Sequence, residues 1–178
     1  MDAVVETLRA EFSDLGDPAA FTRIAVRLMV AVALAAVIGY ERELRGTAAG
    51  LRTHMMVGLG VALLVATTSE SHMEPTEVGR VIQGIVAGIG FLGAGAIIKQ
   101  DEKEQVKGLT TAASIWTTAA IATAAGLGRM ATAIVATMLA IVILALLLRL
   151  ERHVARRRGA PTSDEATGPR AHDRDSRR

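Results

Sequence analysis

Three groups of residues in this chain have the types and spacing to do chemistry, and each lies beside or within an apolar run. The first is Glu41-Arg42-Glu43 followed, after a short turn, by Leu51-Arg52-Thr53-His54. Carboxylates, guanidinium groups and an imidazole at adjoining helix ends could form a binding or gating surface, or an ordinary salt-bridged loop. Glu41 or Glu43 is expected to pair with Arg52 across the hairpin, and an exposed pair of this kind stabilises by only about 0–1 kcal/mol. The second group is Arg27, Arg80 and Gln83. Ionisable residues inside apolar segments are expensive in lipid and functional by default, so the two arginines either snorkel to the interface or share a polar site. The third is Thr110, Ser114 and Thr117, whose i, i+4, i+7 spacing puts them on one helical face, with Thr111 and Thr118 one position over. Such hydroxyls bond local carbonyls or join helices, or they line a hydrated path.

What is missing limits the chemistry. With no cysteine there is no disulfide framework, zinc-thiolate site or iron-sulfur cluster. No histidine has a metal-ligand neighbour four residues on, and there is no Walker loop, Ser-His-Asp set or nucleophile elbow. A non-enzyme without cofactor or metal site is the expectation. No Asp or Glu falls in the middle of any apolar run, which counts against an unaided path for a hard divalent cation.

One pattern misleads. Gly88-Ile89-Gly90-Phe91-Leu92-Gly93-Ala94-Gly95 spells a dinucleotide fingerprint, but that loop must follow a strand and open a helix of a βαβ unit, and here it lies inside an apolar run. The glycines Gly84, Gly88, Gly90, Gly93 and Gly95 read instead as a helix-packing seam of the small-xxx-small kind, or as the place where a bent helix lines a cavity, since each glycine costs roughly 1 kcal/mol against alanine.

The elements that must position these residues follow from hydropathy. The 178 residues are 51% hydrophobic with mean hydropathy +0.35, and the apolar residues come in long blocks. About 20 apolar helical residues span a bilayer. Stretches 57–68 and 131–148 lack the polar stripe of a soluble amphipathic helix. The reading is an all-α polytopic membrane protein of about five transmembrane helices, near residues 21–40, 54–68, 78–99, 109–127 and 130–150. Residues 1–20 form an amphipathic N-terminal segment, with Val4, Leu8, Phe12 and Leu15 at helical spacing among acidic residues, ending at Gly16-Asp17-Pro18. Residues 21–150 form the membrane domain, and residues 151–178 a basic tail too polar to bury a core and expected to be disordered. No cleaved signal peptide is evident.

Charge gives the orientation. Arg42, Arg45 and Arg52 fall in the first loop, Lys99, Lys103 and Lys107 in the third, and Arg152 and Arg156 to Arg158 in the tail, whereas the N-terminal segment and the second loop are acidic. The positive-inside rule then puts the N-terminus outside and the C-terminus in the cytoplasm. Net charge is only +2 despite a pI near 9.5, and nine arginines lie at or beyond Arg149. Anionic lipid, not nucleic acid, is the partner of such a juxtamembrane tail.

Taken together, Ile38-Gly39-Tyr40-Glu41-Arg42-Glu43, Ala49-Gly50-Leu51-Arg52-Thr53-His54, Arg80 with Gln83 ahead of the glycine-rich segment, and Lys107-Gly108-Leu109-Thr110-Thr111-Ala112-Ala113 with Trp116 resemble the MgtC/SapB family. The likeness covers residues 23–149. It implies a bacterial inner-membrane protein linked to magnesium limitation and, in pathogens, to survival inside macrophages. It also implies a regulator of other membrane proteins, the F-type ATP synthase among them, that is expected to form homo-oligomers. Magnesium would enter as a regulator or as a transported ion. The chain departs from many members in having a short Arg-rich tail where they carry a folded cytoplasmic domain. Two functions follow: a non-enzymatic regulator that holds partner helices through the glycine-rich third span, or a transporter or channel for magnesium or another ion built around Arg27, Arg80, Gln83 and the hydroxyls.

Overall fold

The structure, a computed structural model, describes residues 2–12, 17–70, 74–100 and 105–157. Helix α1 (Asp2–Glu11) presents Val4, Val5 and Leu8 in the open, with Phe12 just beyond its end. Helix α2 (Pro18–Leu44) starts where the sequence demands it. Asp17 Oδ1 accepts from the Ala19 and Ala20 N–H groups at 2.9 and 3.2 Å, and Pro18 sits at the first helical position, where its missing N–H costs nothing. Helix α3 (Leu51–Glu70) begins under a side chain from the helix before it, because Glu43 Oε2 accepts from Leu51 N–H at 3.0 Å. Helix α4 (Pro75–Ala96) repeats the acid-proline start, with Glu74 N–H donating to Glu77 Oε2 at 3.2 Å.

The third apolar run ends sooner than its hydropathy suggests. The helix stops at Ala96, and residues to Lys99 that read as helical enter a small antiparallel hairpin of β1 (Ile98–Gln100) and β2 (Gln105–Lys107), with Ile98 opposite Lys107. Gly108 closes it at φ +93, where a Cβ would collide with the Ala96 carbonyl oxygen, so only glycine fits. Helices α5 (Leu109–Gly126) and α6 (Met130–Arg157) follow, joined through Gly128 at φ +78. The first compact unit ends at Val142; from Ile143 a second begins, helical as far as Arg157. Residues 151–157, expected in a disordered tail, are therefore helix, for which their Glu, Arg and Ala content is well suited. Residues 13–16, with Leu15 and Gly16, Lys103 and the residues beyond Arg157 lie outside the described residues.

Among the described residues three helices are long and apolar enough to cross a membrane: α2, α3 as far as Ser69, and α4; the apolar stretch Met130–Leu146 is shorter. Helix α5 differs in kind. It packs against α2, α3 and α4 together, and Thr111, Ile115, Thr118, Ala122 and Ala125 are buried along one face. The opposite face, with Leu109, Ala113, Trp116 and Ala120, is exposed, and the alanine and threonine that dominate the helix are small enough for three neighbours to pack against its buried side.

The core is built from small residues. Ala31, Ala35, Ala62, Ala66, Ala122 and Ala125 are all but inaccessible. A Cβ at Gly58 of α3 would lie 2.6 Å from Ala35 Cβ of α2, one at Gly39 of α2 would lie 2.8 Å from Leu51 Cα, and one at Gly126 of α5 would lie 2.9 Å from Val65 Cβ. These are backbone-to-backbone approaches, and they set the spacing of α2, α3 and α5.

Candidate functional site

The polar residues of the α2–α3 turn do not pair as charge spacing suggested. Glu41 takes Arg42, whose Nε donates to its Oε2 at 2.6 Å, and Arg45, whose Nε donates to Oε1 at 3.0 Å. Glu43 turns to the start of α3, so neither carboxylate pairs with Arg52, which is exposed along with Thr53. The physical reason is local: an i, i+4 partner on the same helix and an open helix N-terminus compete better than an exposed cation across the turn. Arg42 is buried, and its Nη2 touches Glu41 Oε2 without the alignment of a hydrogen bond. The turn itself is tied by Thr47 Oγ1, within 3.0 Å of both the Arg42 and Ala49 carbonyl oxygens, and a Cβ at Gly50 would collide with the Glu43 carboxylate.

His54 is fully buried one turn into α3. Its Nδ1 donates to the Gly50 carbonyl oxygen at 2.8 Å, and its Nε2 lies 3.1 Å from Ser114 Oγ of α5. Ser114 Oγ in turn donates to the Thr111 carbonyl oxygen at 2.8 Å. This buried link between two helices was not legible as such, because His54 and Ser114 were assigned to separate groups.

The six residues expected around a polar path are not brought together. Ser114 is buried against His54, Thr110 is exposed, and Thr117 bonds its own Ala113 carbonyl oxygen at 2.9 Å. The buried hydroxyl face of α5 is Thr111, Ser114 and Thr118, and the Thr118 hydroxyl has no hydrogen-bond partner. Arg27 reaches the opposite end of α5, donating from Nη1 to the Gly126 carbonyl oxygen at 3.3 Å with its guanidinium lying over Gly128. A cation at a helix C-terminus is favourable for the helix dipole. Arg80 and Gln83 are exposed on α4. Among the described residues no three His, Asp or Glu side chains gather as a metal ion would require.

The glycines of α4 divide by face. Gly93 joins Ile85 and Ile89 on the buried side, where an added Cβ would lie 3.7 Å from Ala112 Cβ, an ordinary contact distance. Gly84, Gly88 and Gly95 share the opposite stripe with Phe91, Gly90 lies to one side, and a Cβ at any of these four glycines would meet nothing within 4 Å. Gly84 and Gly88 border an open apolar groove of about 890 Å³ between α3 and α4, whose other wall includes Met56, Gly60 and Leu64.

Long apolar helices, an alanine and glycine core and polar side chains engaged in tying helix to helix define an all-helical integral membrane protein. Residues 28–153 match the MgtC family, and the chain belongs to that family. It is 37% identical over 140 residues to SrpB of Synechococcus elongatus, covering 72% of this chain and 77% of that protein. It is 40% identical over 141 residues to MgtC of Salmonella paratyphi A, covering 79% and 58%. Over 126 residues it is 35% identical to YhiD of Escherichia coli K12, named as a candidate magnesium transporter, covering 67% and 58%. The chain thus spans little more than half the length of the MgtC and YhiD relatives. No solved structure matches it.

Proposed function

We propose that this chain is a non-enzymatic membrane regulator that acts in magnesium limitation by holding a transmembrane helix of another membrane protein against α4. The observation that carries this reading is the bare glycine face. Four glycines at roughly 1 kcal/mol each weaken α4 relative to alanine, and among the described residues nothing lies within 4 Å of where their Cβ atoms would stand. A partner helix lying along Gly84, Gly88 and Gly95 would offset that cost by close backbone approach. The magnesium connection rests on the family and on the name of the YhiD relative. The F-type ATP synthase is the partner that the family likeness suggests, and a second copy of the chain could use the same face.

In this reading α2, α3, α4, α5 and α6 cross the bacterial inner membrane, with the N-terminus outside and the α2–α3 turn and C-terminus in the cytoplasm. Helix α5 packs against three other spans and turns Leu109 and Trp116 toward lipid, and α1 lies on the outer face with Val4, Leu8 and Phe12 in the acyl boundary. The ion-path reading draws no support from the geometry, because its six residues are scattered over two ends and two faces. The deciding experiment places a photo-cross-linking residue at Phe91 in the membrane of a magnesium-starved bacterium. A cross-link to another membrane polypeptide that Gly88→Leu abolishes at unchanged abundance is expected; cross-links that survive Gly88→Leu would overturn the reading. Magnesium flux by the purified chain in liposomes would favour the transporter instead.

A further inference from the structure

We propose that His54 and Ser114 form a proton-binding site that ties α3 to α5 more firmly when both imidazole nitrogens carry a proton. The argument is a count of hydrogens along one buried chain of contacts: Gly50 carbonyl oxygen, Nδ1, Nε2, Ser114 Oγ, Thr111 carbonyl oxygen. Both ends are carbonyls and can only accept. Nδ1 therefore holds a proton in every state. With a neutral ring, the remaining two contacts share the single hydroxyl hydrogen of Ser114. Pointed at Thr111, that hydrogen leaves the Nε2 and Oγ lone pairs facing each other at 3.1 Å; pointed at Nε2, it leaves two oxygens facing each other at 2.8 Å. A proton on Nε2 completes the set, with Nε2–H donating to Ser114 Oγ and Ser114 Oγ–H donating to Thr111. Uptake needs only a proton and a rotation of the serine hydroxyl.

The charged surroundings are few. From α2, Arg42 acts on the ring, and Arg42 is itself paired with Glu41, which also holds Arg45. Glu43 is engaged with Leu51 N–H. On α3 the nearby Arg52 is exposed, α5 has no ionisable residue, the only ones on α4 are Glu77 and Arg80 in its first two turns, and Lys107 of β2 is exposed. These groups and burial set the pH at which the proton enters. The vacancy it fills is set by the contacts.

The test is nitrogen NMR of the full chain in lipid nanodiscs with labelled histidine. The chain has four histidines, and the His54 signal is the one lost in His54→Gln. On acidification Nδ1 should stay protonated while Nε2 gains a proton. Ser114→Ala removes the acceptor for that proton and should move the midpoint to lower pH by about one unit or more, since a hydrogen bond to a charged group is lost; Ser114→Thr keeps the hydroxyl and should restore it. A ring that stays neutral down to the pH of unfolding, or a midpoint indifferent to Ser114→Ala, overturns the site. If Ser114→Ala does not accumulate, the parent titration alone decides. The link to helix packing is read separately from spin labels at Met56→Cys and Leu109→Cys, introduced into a chain with no other cysteine. The distance distribution should narrow on acidification, and a width indifferent to pH would overturn the coupling.

Discussion

Two sets of glycines in this molecule do opposite things. Gly39, Gly58 and Gly126 belong to no run of glycines at helical spacing and lie where a neighbouring backbone or Cβ comes within 3 Å of an added Cβ. Gly84, Gly88, Gly90 and Gly95 form the conspicuous motif, and an added Cβ at any of them would meet nothing within 4 Å among the described residues. The first set makes the fold, and the second leaves a face open. A glycine motif in a membrane helix thus marks where a helix can approach, and the structure is needed to say whether the approaching helix is the chain's own.

Substitutions can break this comparison, beginning with the severest. Gly58→Leu should prevent accumulation of folded protein, because overpacking by even a few methylenes costs about 1–3 kcal/mol and here the obstacle includes the backbone of α2. Membrane abundance and thermal unfolding in detergent are the readouts; a stable Gly58→Leu protein would refute the intrachain seam. Gly88→Leu should instead fold as the parent does and lose function under magnesium limitation. If Gly58→Leu and Gly88→Leu behave alike, the distinction between the two sets fails.

Arg27→Leu tests whether polar residues in the core region are structural. Losing the bond to the Gly126 carbonyl and the charge at the end of α5 should lower stability by about 1–2 kcal/mol, with Arg27→Lys recovering part of it. An Arg27→Leu protein of unchanged stability but no activity would return Arg27 to a functional path. Glu43→Ala removes the acceptor at the start of α3 and should cost about 1 kcal/mol, whereas Arg52→Ala should fall within about 0.5 kcal/mol of the parent. Recovery of a Glu43→Arg protein by Arg52→Glu would contradict the pairing seen here. Smallest of all, Gly95→Ala should raise stability by up to about 1 kcal/mol, measured in isolation from any partner.

Helices α2 and α4 start at Pro18 and Pro75, three residues ahead of the apolar runs at 21 and 78, because hydropathy marks the apolar stretch and not the capping acids Asp17 and Glu74 that begin the helix. The apolar runs themselves were legible, their lengths matching the bilayer. What escaped was the phase of α5. Its exposed side, with Leu109, Ala113, Trp116 and Ala120, is as apolar as its buried side, with Ile115 and Ala122, so there is no polar stripe from which to decide which hydroxyls face inward, and spacing grouped Thr110 and Thr117 with Ser114 where packing groups Thr111 and Thr118 with it. His54 and Ser114 meet across 60 residues of chain, and nothing local to either announces the other. Arg27 is the same case at the other end of α5, since its acceptor is a main-chain carbonyl and carries no sequence signal.

The packing of α5 against three helices at once also bears on how the protein is made. Taken as a membrane span, it is assembled late, after α2, α3 and α4 have left the ribosome, and it is the one least able to enter lipid unaided: threonines and a serine take the places where the other spans carry leucine and valine. The chain order supplies what its composition lacks. When α5 emerges, the walls that will cover Thr111, Ser114 and Thr118 already stand in the bilayer, so its insertion is an act of tertiary assembly, and an α5 synthesised ahead of those helices would be left in water.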